Sequence, residues 1–202
     1  MRTWFVLTLA AFAWVLALGA ASPAGPAGWE LAGNDPSSYS IAKDRAVTRA
    51  GSPSGRLMST RESRGFGTMM QCIDPADYAG KRVRFSGYVK AEEVTSWAGL
   101  WMRVDGPTPP NPDAPVALPK TIPLGFDNMQ DRPIRGTRDW TRYDVVLDVA
   151  RDATNICLGI LLDGEGKVWL NGVTFEVVGT DISTTGRQHR RSRKPENMGF
   201  TR

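Results

Sequence analysis

Lys81-Arg82-Val83-Arg84-Phe85-Ser86-Gly87-Tyr88-Val89-Lys90-Ala91 alternates from end to end. Val83, Phe85, Gly87 and Val89 fall on one side, and Arg84, Ser86, Tyr88 and Lys90 on the other. A period of two is the signature of a strand with one face in a core and one in solvent. The same rhythm returns on both sides of this segment. Downstream, Trp97–Asp105 sets Leu100, Met102 and Val104 against Trp101, Arg103 and Asp105, and Tyr143–Val149 repeats the pattern. Ile156–Leu162 and Val168–Val178 follow, joined by Asp163-Gly164-Glu165-Gly166, which reads as a hairpin turn.

Upstream, Trp29–Ala32 opens the domain, and Tyr39–Ala42 with Ala46–Arg49 reads as a hairpin about Asp44-Arg45. Arg56–Thr60 and Gly65–Ile73 lead into a turn at Asp74–Gly80. The 21 Gly and 14 Pro punctuate these short apolar runs, and no segment holds a helical period over ten residues. The expectation is an all-β chain, a sandwich or barrel of nine or ten strands spanning residues 28–182. A proline-rich loop interrupts it from Gly106 to Pro123, and a second polar stretch runs from Phe126 to Trp140.

The ends read differently. Arg2, the uncharged apolar run Trp4–Leu18 and the small residues Gly19-Ala20-Ala21 form a secretory signal cut before Ser22. The alternative is an uncleaved anchor. No cysteine follows the run, so the usual lipid attachment is not expected, and the mature chain is placed in the periplasm or outside the cell. No other stretch is apolar enough to span a bilayer. The net charge of +4 belongs to the end of the chain, where Arg187, Arg190, Arg191, Arg193, Lys194 and Arg202 stand against Glu196. Residues 183–202 read as a basic disordered tail. The domain itself is close to neutral, so no specific nucleic-acid surface is expected.

The sole histidine, His189, lies in that tail. The domain therefore has no imidazole for a Ser-His or Cys-His nucleophile and no zinc-ligand set. A carboxylate pair could still hydrolyse glycosides, with Glu92, Glu93, Asp105, Asp127 and Asp131 as the available acids. Nothing in their spacing selects an acid and a nucleophile. Cys72 and Cys157 are read either as a disulfide, which export permits, or as two buried thiols.

Binding chemistry is better represented. Trp97, Trp101 and Tyr88 put aromatic planes on the outward side of strands, with Arg103 among them. Aromatic planes stack on sugar rings, and Arg, Asn and Asp fix their hydroxyls. The candidate ligand residues are Trp97, Trp101, Arg103, Asn128, Asp131 and Arg132. Against this stands cover of the aromatics by a loop, and pairing of Arg132 with neighbouring acids. Trp140 and Trp169 read as core anchors.

Gly28-Trp29-Glu30-Leu31, the Tyr78–Lys90 stretch, Trp140-x-x-Tyr143 and Val168–Glu176 together resemble the galactose-binding-like jelly rolls. These include many carbohydrate-binding modules of bacterial glycoside hydrolases. Gly99–Gly106 and Phe126–Met129 are also similar to domains of this fold in uncharacterised bacterial proteins, some joined to regulators or enzymes. The resemblance implies a jelly-roll β-sandwich with a sensing or accessory role. It also implies a structural calcium ion, held in related modules by an Asp where this chain has Asn171. An Asn brings an oxygen but no charge, so no cofactor is expected. The leading expectation is an exported, non-catalytic domain binding a carbohydrate or another small polar molecule. A structural or protein-interaction domain is the alternative, followed by a carboxylate-dependent glycoside hydrolase.

Overall fold

The computed structural model describes residues 25–108 and 121–186. The expected signal segment, most of the proline-rich loop and the chain from Arg187 onward lie outside the described residues. Nine strands follow in order: β1 (Glu30–Gly33), β2 (Tyr39–Arg49), β3 (Ser52–Ser59), β4 (Phe66–Ile73), β5 (Arg82–Pro107), β6 (Thr121–Asp127), β7 (Ile134–Asp148), β8 (Asn155–Asp163) and β9 (Lys167–Val178). One 3₁₀ turn at Pro36–Ser38 is the only helical element among the described residues.

The two strands read at Lys81–Ala91 and Trp97–Asp105 are one. β5 runs unbroken for 26 residues and belongs to both layers. Its first half pairs with β7 and β9, and its second half with β8 and β6. Between them the register against β7 slips three times, between Val89 and Ala98, and Glu93 takes a positive φ of 54°. Bulges of this kind turn a strand from one sheet into the next. The result is one layer of β7-β5-β9-β3-β2 and another of β6-β5-β8-β4-β1, joined through β5.

Asp163–Lys167 travels round the same corner. Glu92 lies opposite Lys167 in one layer and Trp97 opposite Asp163 in the other. β8 and β9 therefore sit in different layers, and the expected hairpin between them is a crossover. Its glycines take φ of 74° at Gly164 and 130° at Gly166, values that cost other residues 1 kcal/mol or more, in round terms. Thr95 N–H donates to the Glu165 carbonyl at 3.0 Å, fastening the crossover to the bend of β5.

The inward sides of the two layers meet in a single apolar core. Val83, Phe85 and Val89 share it with Leu100, Met102 and Val104 of the same strand, and with Val145 and Leu147 of β7 and the even-numbered residues Ile156–Leu162 of β8. The alternation read from the sequence is thus the alternation of the core. It breaks at Val146, which is buried beside Val145 and Leu147. The cause is the C-terminal segment: Thr185 N–H donates to Val146 O at 3.0 Å, and Val146 N–H donates to Thr185 Oγ1 at 2.8 Å. The packed chain therefore reaches beyond Ile182, with Thr185 docked on β7.

β2 also differs from expectation. It is continuous through Asp44-Arg45, with a register shift between Asp44 and Thr48. The Asp44 carboxylate accepts the N–H groups of Ala46 and Val47 at 2.9 and 3.0 Å, and so stabilises a bulge where a turn was read. The true hairpin turn is Ala50-Gly51, both at positive φ (48° and 77°), as a two-residue loop between twisted strands requires.

Cys72 and Cys157 are directly opposite each other on β4 and β8, their Cα atoms 4.1 Å apart, and they form a disulfide closing an 85-residue separation. Replacing both by serine is expected to cost about 2–4 kcal/mol, since the unfolded chain regains the freedom of that loop. Urea unfolding of the variant and the oxidised wild type measures it, each curve with its own m-value, since the unlinked denatured chain exposes more surface.

Candidate functional site

The two outer faces of the sandwich are chemically unlike. On the β7-β5-β9 layer, Arg84 pairs with Glu176 at 2.8 Å, Lys90 with Asp139 at 3.0 Å and Arg82 with Asp148 at 2.7 Å. Tyr88, an aromatic of that face, lies under the Arg49 guanidinium, 3.1 Å from its ring centre. Exposed ion pairs of this kind contribute about 0–1 kcal/mol each and leave a hydrated surface.

The outer face of the other layer is aromatic and apolar. β5 contributes Trp97, Gly99, Trp101, Arg103 and Asp105, and the cross-strand register places Asp163, Leu161, Gly159, Cys157 and Asn155 of β8 opposite them. Trp101, Cys157 and Leu161 form a second buried cluster, with Phe66, Met70 and Trp97 packed against it. Phe126 of β6 lies opposite Arg103 and is 41% exposed.

The sequence-predicted residues divide by what holds them. Trp101 is 8% exposed. Its indole N–H donates to Thr68 Oγ1 at 2.7 Å, and the Thr68 hydroxyl donates to the Ile160 carbonyl at 2.9 Å. That relay joins β5, β4 and β8, so Trp101 forms the floor of the face and has no free polar atom to offer. Trp97 is half-buried beside it. Arg103 is anchored by Asp105, with Nε 2.9 Å from Oδ1; the two side chains are 43% and 5% exposed respectively. A buried carboxylate thus holds one edge of a planar guanidinium while the rest meets solvent, a preorganised donor.

Arg132 is also anchored, and deeper. It donates to both oxygens of buried Asp127, at 2.6 and 3.2 Å, and to Asp131 at 2.9 Å. Asp127 further accepts the Thr185 hydroxyl at 2.6 Å and the Met129 N–H at 2.8 Å. Burial works to raise the Asp127 carboxyl, but the hydrogen bonds from Arg132, Thr185 and Met129 and the Arg132 charge outweigh it and hold it below the usual range. Arg132 is therefore a structural partner that ties the turn 128–132 to the C-terminal segment. That turn and β6 frame an open recess of about 360 Å³, lined by Phe126, Asn128, Gln130, Asp131 and Thr185 among others.

Asn128 and Asp131 thus come together with Phe126 at the edge of the face that carries Trp97 and Arg103. Phe66 and Met70 are not singled out in the sequence; Asp105 reads there as a possible catalytic acid and not as the anchor of Arg103, and Phe126 only as the start of a polar stretch. The signal for Phe126 was its place opposite Arg103, which needs the β5–β6 register. The polar stretch Phe126–Trp140 is also less of a loop than expected, because β7 begins at Ile134 and pairs with the bend of β5. Of the candidate catalytic acids, Asp105 and Asp127 each carry their own arginine, and Asp131 is exposed.

The implied calcium ligand does not fit. Among the described residues no group of three or more His, Cys, Asp or Glu side chains could hold a metal. Asn171 presents its amide nitrogen, not an oxygen, to the surrounding carbonyls.

No family model matches the chain. A Bacillus subtilis (strain 168) protein named as an uncharacterized HTH-type transcriptional regulator, YbfP, is 38% identical over 160 residues, which are 78% of this chain and 50% of that protein. The chain therefore spans about half the length of this curated relative. Among solved structures, the CBM22-1 xylan-binding domain of Paenibacillus barcinonensis Xyn10C aligns with a TM-score of 0.50 at 14% identity, over 78% of this chain and 90% of that domain. The enzymatically active domain of tailspike protein 4 from bacteriophage CBA120 also aligns at 0.50, with 15% identity, over 75% of this chain and 20% of that one. The chain is a jelly-roll β-sandwich, similar in fold to the carbohydrate-binding modules.

Proposed function

We propose that the outer face of the β6-β5-β8-β4 layer is a binding platform for a carbohydrate, in an exported domain without catalytic activity of its own. The observation that carries this reading is the contrast between the faces: ion-pair ladders on one, aromatic planes beside an anchored guanidinium on the other. Trp97 and Phe126 offer flat surfaces to sugar C–H faces, and Trp101 holds Trp97 from below. Arg103, Asn128 and Asp131 supply donors and acceptors for hydroxyls at the rim. Asp105 and Asp127 are each engaged in holding an arginine in place, which supports binding over hydrolysis.

The identity to YbfP supports a related reading in which the same platform senses a small polar ligand for an attached regulatory half. Both readings place the ligand on one surface and differ in what the binding signals. A glycan array and a thermal-shift panel on residues 22–202 test the site, because a ligand bound only to the folded state raises its melting temperature. Trp97→Ala, Phe126→Ala and Arg103→Ala are each expected to weaken a retained ligand by about tenfold or more, or about 1.4 kcal/mol. Arg84→Ala on the opposite face is expected to leave affinity unchanged. Equal affinity in all four variants would place the ligand elsewhere, and a panel retaining nothing would favour a structural or protein-interaction role.

A further inference from the structure

Asn171 sits where β9 passes beneath the β2–β3 hairpin, and it is 7% exposed. Its Nδ2 lies 3.0 Å from Ser52 O, 3.0 Å from Pro53 O and 3.3 Å from Ser54 Oγ. The first two are carbonyls of consecutive residues and can only accept, so the side-chain oxygen cannot stand at this point. Ser54 donates its own hydrogen to Val47 O at 2.7 Å, which turns its oxygen lone pairs toward Asn171. Three oxygen acceptors thus converge on one buried point. That is the donor set a hard cation takes, here met by two amide hydrogens. Neighbouring backbone fixes the geometry: Gly172 follows at a φ of 59°, and the register against β5 shifts there, between Ser86 and Tyr88.

We propose that the Asn171 amide occupies the place of a structural cation, that the wild-type fold is consequently independent of calcium, and that Asn171→Asp converts the cage into a calcium site. The exchange replaces an NH₂ group by O⁻. In the variant a carboxylate would face two carbonyls and a hydroxyl oxygen across the distances now spanned by N–H···O bonds. A bound cation relieves that repulsion, and the exposed flank at Ser52 and Pro53 admits the waters that complete its shell. Calcium, with six to eight oxygens at roughly 2.3–2.6 Å, suits such a mixed and flexible set better than magnesium, which demands a tight octahedron.

Thermal unfolding of the full chain decides this, followed by circular dichroism in EDTA, in millimolar calcium and in millimolar magnesium. Wild type is expected to melt at one temperature in all three. Asn171→Asp is expected to melt about 3–8 °C lower in EDTA and to recover saturably with calcium, with a smaller response to magnesium. Asn171→Ala, which frees the cage without supplying charge, is expected to be destabilised and blind to calcium. A wild type stabilised by calcium or weakened by EDTA overturns the proposal. So does an Asn171→Asp protein, folded or unfolded, that calcium does not rescue, or an Asn171→Ala protein that it does.

Discussion

Replacing Trp101 by alanine is expected to cost about 3–5 kcal/mol, the range for emptying a buried aromatic site. For a domain of this size that is a fall of roughly 10 °C in melting temperature. Two losses add. The indole covers Leu161, Cys157 and Met70 on the outer side of the sheet, so its removal strips the cover from their apolar surface. The Thr68 hydroxyl also loses the donor that holds it against β8. Trp101→Phe separates the terms. It keeps most of the buried area and removes the N–H, so about 1–2 kcal/mol is expected. Denaturant unfolding with unchanged m-values reads both. A Trp101→Ala protein as stable as wild type would mean that the second apolar cluster contributes little, and that the face lacks a rigid floor.

Asp127→Asn is expected to cost about 2–4 kcal/mol at neutral pH and almost nothing in strong acid. The neutral-pH cost arises because Arg132 loses its buried counter-charge and keeps only the exposed Asp131, while the Thr185 and Met129 donors keep a weaker acceptor. The pH dependence follows from linkage. The Asp127 carboxyl is depressed in the folded state, so its contribution is fully present above the ordinary carboxylate value near 4 and fades as pH falls through its lower folded value. Asp44 is held low in the same sense: burial works to raise it, and hydrogen bonds from Val47, Trp169 and Ala46 outweigh that. It adds to the acid slope of wild type and variant alike. The gap between the two stability curves, measured by urea titration from pH 7 downward, should therefore begin to narrow below about pH 4 and close only once the pH is under the lower folded value. A gap constant with pH would assign the loss to shape and not to charge.

The strands were legible because each buries one side. Val83, Phe85 and Val89 lie in the core as their spacing indicates, and so do Leu100, Met102 and Val104. What the pattern could not show is which side chains on the opposite side are covered. Trp97 and Trp101 share a period-two position, yet Trp101 is floor and Trp97 is rim, because Met70 and Leu161 reach it from strands distant in sequence. Arg132 read equally well as ligand contact or ion-pair partner, and only the placement of Asp127 and Thr185 decides its role. The misplaced turn at Asp44-Arg45 has a local cause. Asp commonly marks turns, and here its carboxylate makes the same backbone contacts inside a bulged strand. Ala50 at positive φ carries no turn signal at all, and Ile134–Trp140 is strand only because the bend of β5 supplies its partner.

Binding on the β6-β5-β8-β4 face is the claim on which the functional account stands. The most direct measurement is an NMR titration of the isotope-labelled domain with a retained glycan, following backbone amides and indole N–H signals together. The expected shifts concentrate at Trp97, Arg103, Phe126 and Asn128, with a smaller response at Trp101, whose N–H is already engaged, and none at Arg84, Lys90 or Glu176. Shifts that map instead to the ion-paired face of β5, β7 and β9 would contradict the account.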